Sequence, residues 1–275
     1  MVFFYKLGSY WQIYEQFFLN YFWQESDSLV YLLKFLPFLR KILRMKKDSL
    51  KYEQAYRTNA EPWNYSKSGA EKLRHKQMVV LAKKFVLSPQ NVVDVGCSLG
   101  QFTELLTAYS SKVYGIDISE TAVQKCKDTL GKKFQHTDFQ AITLDKATFL
   151  PHSFDVIFYC DGINEHQLEG ELLEKTMQNI RLFLKPSGIV IFTDYLGHRN
   201  FEAYRQKIKQ FDFHVLHEEL LHDRLWFQVK SVFKIFLGNK WVDAFLANEK
   251  IAQFFAKISS KMGEKGSKHL CIIAK

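Results

Sequence analysis

Val92-Val93-Asp94-Val95-Gly96-Cys97-Ser98-Leu99-Gly100 joins an apolar run to an acidic residue and then to two glycines that bracket a tight turn. An amphipathic helix follows from Gln101, and a second apolar run starts near Ser111 and closes on Asp117. Strand, glycine turn, helix and acid-tipped strand build a nucleotide-sized cleft at the carboxyl end of a strand. Glycine at 96 and 100 permits positive φ and close approach of a ligand to the backbone. The helix from Gln101 aims unpaired N–H groups at whatever sits there. Asp117 can accept two hydrogen bonds from a ribose diol and repels a 2′-phosphate.

Working outward, residues 91–222 alternate strand and helix. Strands are expected at 92–96, 112–117, 133–138, 154–160, 188–194 and 212–218, and helices at 101–110, 119–130, 169–184 and 198–210. Such alternation predicts a mostly parallel sheet with right-handed crossovers. Lys185-Pro186-Ser187-Gly188 marks a turn before the fifth strand, and His269–Ala274 reads as a last strand at the C-terminus. Residues 51–90 are polar and then helical.

Two blocks break the alternation. Residues 1–50 and about 223–266 interleave Phe, Trp, Leu and Ile with Lys and Arg. Leu29–Leu43 reads as an amphipathic helix bent near Pro37. Trp226, Phe227, Val229, Val232, Phe233, Phe236 and Leu237 recur at helical spacing, as do Trp241, Phe245, Leu246, Ile251, Phe254, Phe255 and Ile258. Three readings stand side by side: extra core, a lid with an apolar acceptor pocket, or a face that lies on an anionic membrane.

The 275-residue chain carries a net charge of +9, which favours acidic partners. Cys97, Cys126, Cys160 and Cys271 form no CxxC pair and no metal-ligand spacing, which fits a reduced cytoplasmic compartment. No run of about 18 apolar residues spans a bilayer, and no signal peptide is evident.

Five segments in order resemble class I S-adenosylmethionine-dependent methyltransferases. Asp94–Gly100 is similar to the family's first motif, and Asp117 matches its ribose-binding acid. His136-Thr137-Asp138-Phe139 resembles its third-strand motif, Phe154–Asp161 its fourth strand, and Leu184–Phe192 its "LKPGG" turn and fifth strand. Serine stands at 98 where the family often has glycine. The spacing Gly96-Cys97-Ser98-Leu99-Gly100 does not supply the GxGxxG of a nicotinamide site. Glu61-Pro62-Trp63-Asn64-Tyr65 resembles the "DPW/EPW" segment of small-molecule members, including nodulation-factor-type sugar N-methyltransferases.

The resemblance implies a Rossmann-like seven-stranded α/β sheet with helices on both faces. Residues 61–222 and 267–275 would form the core, with a helical cap from residues 1–60 and the insertion 223–266. It implies S-adenosylmethionine as cofactor, held by Asp94, Gly96, Cys97, Ser98, Gly100, Asp117, Ile118, Asp138, Phe139 and Cys160. Asp138 would meet the adenine amino group, and Phe139 would line the ring. Arg74 is a candidate for the cofactor carboxylate. Glu165, His166 and Asp194 are the candidates for general base or acceptor orientation, and Trp63, Tyr65 and Tyr195 for the acceptor pocket. The alternative for the Pro-Trp turn is that it docks an N-terminal helix. Gly162 stands where an E-x-x-E-H metal pattern would need glutamate, so no metal is expected.

The expected reaction is methyl transfer to O or N of a small or amphiphilic acceptor, with sugars and lipid-linked molecules among the candidates. The alternatives are an RNA methyltransferase and a non-catalytic cofactor-binding or regulatory module. The expected place is the cytoplasm, with peripheral attachment to the inner face of the membrane as a variant. Neither acceptor nor oligomeric state is legible.

Overall fold

Val92 and Val93 face opposite sides of their strand, and both are fully buried. That single fact requires cover on both faces of the sheet. The computed structural model describes residues 50–163, 170–197, 201–237 and 239–275, all within one compact unit, Ser49–Lys275. The expected helix 29–43 and residues Glu165, His166 and His198 lie outside the described residues.

Seven strands form one sheet: β1 (Asn91–Val95), β2 (Lys112–Asp117), β3 (Thr137–Ala141), β4 (Phe154–Cys160), β5 (Leu184–Tyr195), β6 (Val215–Leu221) and β7 (His269–Ala274). Their order is β3-β2-β1-β4-β5-β7-β6. The first five pair in parallel, and β7 runs antiparallel between β5 and β6. The fold class expected from the sequence is the one observed. Strand order reverses between β1 and β4, so a crevice opens beyond their carboxyl ends, where open α/β sheets bind ligands.

Helix α1 covers residues 50–58. It is followed by α2 (Gly69–Lys83), α3 (Gln101–Leu106), α4 (Glu120–Cys126), α5 (Glu171–Phe183) and α6 (Phe201–Lys209). Ser68 and Ser119 cap α2 and α4 by accepting from Glu71 N and Ala122 N. One face of the sheet buries Val93, Ile157 and Phe192 against Met177 and Ile180 of α5 and Tyr204 and Ile208 of α6. The other buries Val92, Val156 and Ile191 against Met78 and Leu81 of α2 and Phe102 and Leu106 of α3. Three further helices, α7 (Arg224–Leu237), α8 (Asn239–Leu246) and α9 (Glu249–Ser260), intervene between β6 and β7. They enclose a separate cluster of Trp226, Val242, Leu246 and Ala252, sealed by Ala70 at the start of α2.

Three strand starts depart from the sequence expectation. Strand β5 begins at Leu184 rather than at 188, and Lys185-Pro186-Ser187-Gly188, read as a turn before it, is an irregularity within it, where the pairing with β4 shifts register. Strand β3 begins at Thr137 rather than at 133, because α4 runs on through a wide turn, Lys127–Gly131. Phe134, read as strand, closes that turn through its N–H to Leu130 O. Strand β6 begins at Val215 rather than at 212, after a turn in which Asp212 adopts φ 54°. Helix α1 belongs to the same compact unit as the sheet.

Gly115 of β2 makes room for Phe139, since a Cβ there would come within 2.6 Å of Phe139 Cδ1. We expect Gly115→Ala to cost about 1–3 kcal/mol by overpacking, read as a lower denaturant midpoint.

Candidate functional site

The turn after β1 is wound tightly by three left-handed residues, Gly96 (φ 81°), Ser98 (φ 53°) and Gly100 (φ 80°). Gly96 N and Cys97 N donate to Ile116 O on β2, which folds the turn back over the sheet. A Cβ at Gly96 would meet nothing nearer than Cys160 O at 3.8 Å. The floor of the crevice there is backbone.

Asp117 ends β2 and ties this turn to the next helix. Its Oδ2 accepts Ser98 N at 2.9 Å, and its Oδ1 accepts Ser119 N at 2.9 Å. Each oxygen keeps a lone pair for a ligand. Burial raises this carboxyl, and those backbone donors partly offset the rise. Asp94 is also buried. Burial pushes its carboxyl up to about 7, even though the Thr103 hydroxyl donates to it at 2.6 Å.

Helix α1 roofs the same turn. Tyr56 donates its hydroxyl to Ser98 Oγ at 2.8 Å, and Trp63 Nε1 donates to the Tyr56 oxygen at 2.8 Å. Lys125 Nζ reaches Tyr56 O at 2.7 Å. Glu53 accepts from the Ser119 and Thr121 hydroxyls and from Thr121 N. Partial burial raises the Glu53 carboxyl, but these hydrogen bonds outweigh it and hold the group at about 2. Trp63 therefore docks α1 over the turn, with its ring against Tyr52 and Tyr56. This is the Pro-Trp alternative from the sequence.

A second group of charges gathers past the ends of β4, β5 and β7. Arg74 of α2 is only 3% exposed. It donates Nε to Glu71 at 2.7 Å and Nη2 to Asp161 at 2.8 Å. Its Nη1 is buried with no hydrogen-bond partner among the described residues. Asp161, in the left-handed region at φ 56°, also accepts Tyr195 N at 3.0 Å. His269 opens β7 opposite Tyr195. Its Nε2 lies 3.9 Å from Asp161 Oδ1, and its Nδ1 is held by Asp223. Burial lowers the His269 imidazole, but the Asp223 carboxylate overrides it and the net shift is upward. Lys268 N donates to the other Asp223 oxygen at 2.8 Å, so the pair is fixed from two sides. Tyr195 packs edge-on against His269 at 5.2 Å.

Tyr65 lies beside this second group. Its ring is 5.6 Å from His75, and burial together with Asp161 raises its phenol. His75 is buried against Phe102 and held neutral.

Of the residues expected from the sequence, Asp94, Gly96, Cys97, Ser98, Gly100, Asp117, Ile118 and Cys160 surround the crevice at the ends of β1, β2 and β4. Cys97 contributes backbone there, since its thiol packs with Val123, Cys126 and Phe139. Tyr65 and Tyr195 stand at the Arg74–Asp161–His269 group. Asp138 and Phe139 are not brought to the crevice. Asp138 pairs with Tyr114 and Phe139 with Gly115, while Ala141 is level with Asp117. Phe139 is core beneath the glycine turn. Asp194 is 1% exposed and accepts the Tyr204 hydroxyl at 2.6 Å, so it is engaged by α6. Sequence reading missed Glu53, Tyr56, Asp223 and His269.

A protein-family model described as a methyltransferase domain matches residues 92–188. The ubiquinone biosynthesis O-methyltransferase of Coxiella burnetii is 27% identical over 124 residues, 45% of this chain and 50% of that protein. Nodulation protein S of Sinorhizobium fredii is 29% identical over 135 residues, 48% of this chain and 59% of that protein. The chain spans about half the length of the curated relatives it matches. In fold it is similar to the N-methyltransferase NodS from Bradyrhizobium japonicum solved with S-adenosyl-L-homocysteine. That likeness has a TM-score of 0.54 over 82% of this chain and 95% of that one, at 19% identity.

Two measurements test the crevice. Asp117→Ala removes two charged acceptors and should weaken S-adenosylmethionine binding by about 2–3 kcal/mol, or roughly 30–150-fold, in calorimetry. A positively charged ligand prefers Asp94 ionised. Its affinity should therefore rise as pH climbs towards and through about 7 and level off above, by up to about tenfold per unit on the acid side.

Proposed function

We infer that this chain, a class I S-adenosylmethionine-dependent methyltransferase, moves a methyl group to an oxygen or nitrogen of a small or amphiphilic acceptor held at the Arg74–Asp161–His269 group. The observation that carries this is the juxtaposition of two half-sites along one crevice. One is a glycine turn with a diol-binding carboxylate at the ends of β1 and β2. The other is a buried, charge-paired histidine beyond β4 and β5.

The residues present suit the cofactor. Asp117 has lone pairs for a ribose diol, and the glycine at 96 leaves bare backbone for a ligand to approach, since a Cβ there would meet nothing nearer than Cys160 O at 3.8 Å. Arg74 Nη1 lacks a partner among the described residues, which suits the cofactor's carboxylate. Glu71, Asp94, Asp117 and Asp161 outnumber Arg74, which favours a ligand with net positive charge. S-Adenosylmethionine supplies a methyl group already activated by its sulfonium. The chain's own work is therefore alignment, exclusion of water and removal of the acceptor's proton.

For the proton we assign His269. Asp223 fixes its tautomer by holding Nδ1, which leaves Nε2 turned toward Asp161 at the end of β4. Neutral at Nε2, it accepts a proton from an acceptor hydroxyl or amine, and Asp223 stabilises the resulting imidazolium. Asp161, held by Arg74 and Tyr195 N, orients the acceptor's polar group. Tyr65 and Tyr195 provide the aromatic walls.

His269→Asn should lower methyl transfer by about 100- to 10,000-fold, assayed with labelled cofactor against pools of phenols, amino sugars and amphiphiles. Cofactor affinity should stay within a few-fold. In the native chain kcat/KM should rise with pH through a pKa above the usual histidine value, because the acid form of His269 cannot accept a proton. A variant with undiminished turnover, or a flat profile across that range, removes His269 from this role.

A further inference from the structure

The charge surplus of this chain is not spread over it. Residues 224–268 hold nine Lys and Arg against three Asp and Glu, and residues 1–48 hold seven against four. Everything else, the whole sheet and its covering helices, holds 22 of each sign and is neutral. Residues 224–268, the helices α7–α9 and the segment that follows them, thus carry six of the nine net positive charges.

Helix α9 collects them on one side. At 100° per residue, Lys250, Phe254, Lys257, Ile258 and Lys261 fall within roughly 100° of arc. Ala252 and Ser259 point the other way and are buried. Phe254 is 61% exposed, Ile258 39% and Met262, just beyond the helix, 52%. Lys250, Lys257, Lys261 and the following Lys265 are all exposed. Two of the three acids of this region are drawn off by the core: Glu249 pairs with Lys76 at 2.6 Å, and Glu264 pairs with Arg205 at 2.7 Å. Among the described residues no carboxylate pairs with the four lysines.

We propose that the outer face of α9 docks this protein on the surface of an anionic lipid bilayer. Lysines flanking exposed phenylalanine and isoleucine suit the headgroup boundary, where ammonium groups meet lipid phosphates and the rings enter the acyl edge. The face is too narrow and too basic for a self-association seam, since copies would bring lysine against lysine. No described helix is long and apolar enough to cross a membrane. Docking itself is independent of which acceptor the crevice takes.

The full chain should co-sediment with phosphatidylglycerol-containing vesicles and not with pure phosphatidylcholine vesicles, and molar salt should release it. The triple variant Lys250→Glu, Lys257→Glu, Lys261→Glu should bind such vesicles about 100-fold more weakly, from roughly fivefold per lysine lost at the surface. Phe254→Ser with Ile258→Ser should weaken binding on the order of tenfold. Both variants should retain cofactor affinity by calorimetry, which separates docking from folding and from the function of the crevice. Equal partition onto both vesicle types, undiminished binding by the triple variant, or retention on single-stranded RNA in place of vesicles would each overturn the proposal.

Discussion

Arg74 sits between Glu71 and Asp161 with almost no access to water, and much of the site's order follows from that placement. A guanidinium there must be matched, because an isolated buried charge is unaffordable. Its demand fixes Asp161 in a left-handed backbone conformation directly after β4. Asp161 in turn receives Tyr195 N and faces His269, so one cation on α2 sets the positions of groups from β4, β5 and β7. Removing one member of such a network costs more than its pairwise bond, since the remaining charges stay buried.

The cofactor half is organised by backbone donors instead. Asp117 binds the N–H groups of Ser98 and Ser119 and so couples the glycine turn to the start of α4. Glu53 grips that same helix start from outside. The roof formed by α1 is thereby fastened at the turn and at the helix N-terminus. Helix α1 and the carboxylate beneath it depend on the same few residues.

Local signals in the chain made most of the fold legible. Strands β1, β2, β4 and β7 are apolar runs bounded by turn residues, and their expected limits match within a residue. The limits of β3 and β6 were missed for one physical reason. The wide turn at Lys127–Gly131 and the left-handed Asp212 shift the register without altering hydrophobic pattern. The glycine turn and Asp117 were legible because their chemistry is contiguous. His269 and Asp223 were not, since the two stand 46 positions apart with three helices between them and neither residue stands in a motif. Tyr56 and Glu53 escaped for the same reason: their partners are Ser98, Ser119 and Thr121. Asp138 shows the converse error. A local match suggested a role, but the strand register holds it three residues short of the sheet's rim.

Ser98 adopts a left-handed conformation that glycine would take without strain, and the backbone cost for serine is roughly 1–2 kcal/mol. Its hydroxyl is what Tyr56 seizes. The tension in the loop is thus exchanged for a latch on the roof, and opening the roof leaves that tension uncompensated. Glycine at 98 would relax the turn and at the same time take away the oxygen that receives Tyr56, so strain and fastening come from the same residue.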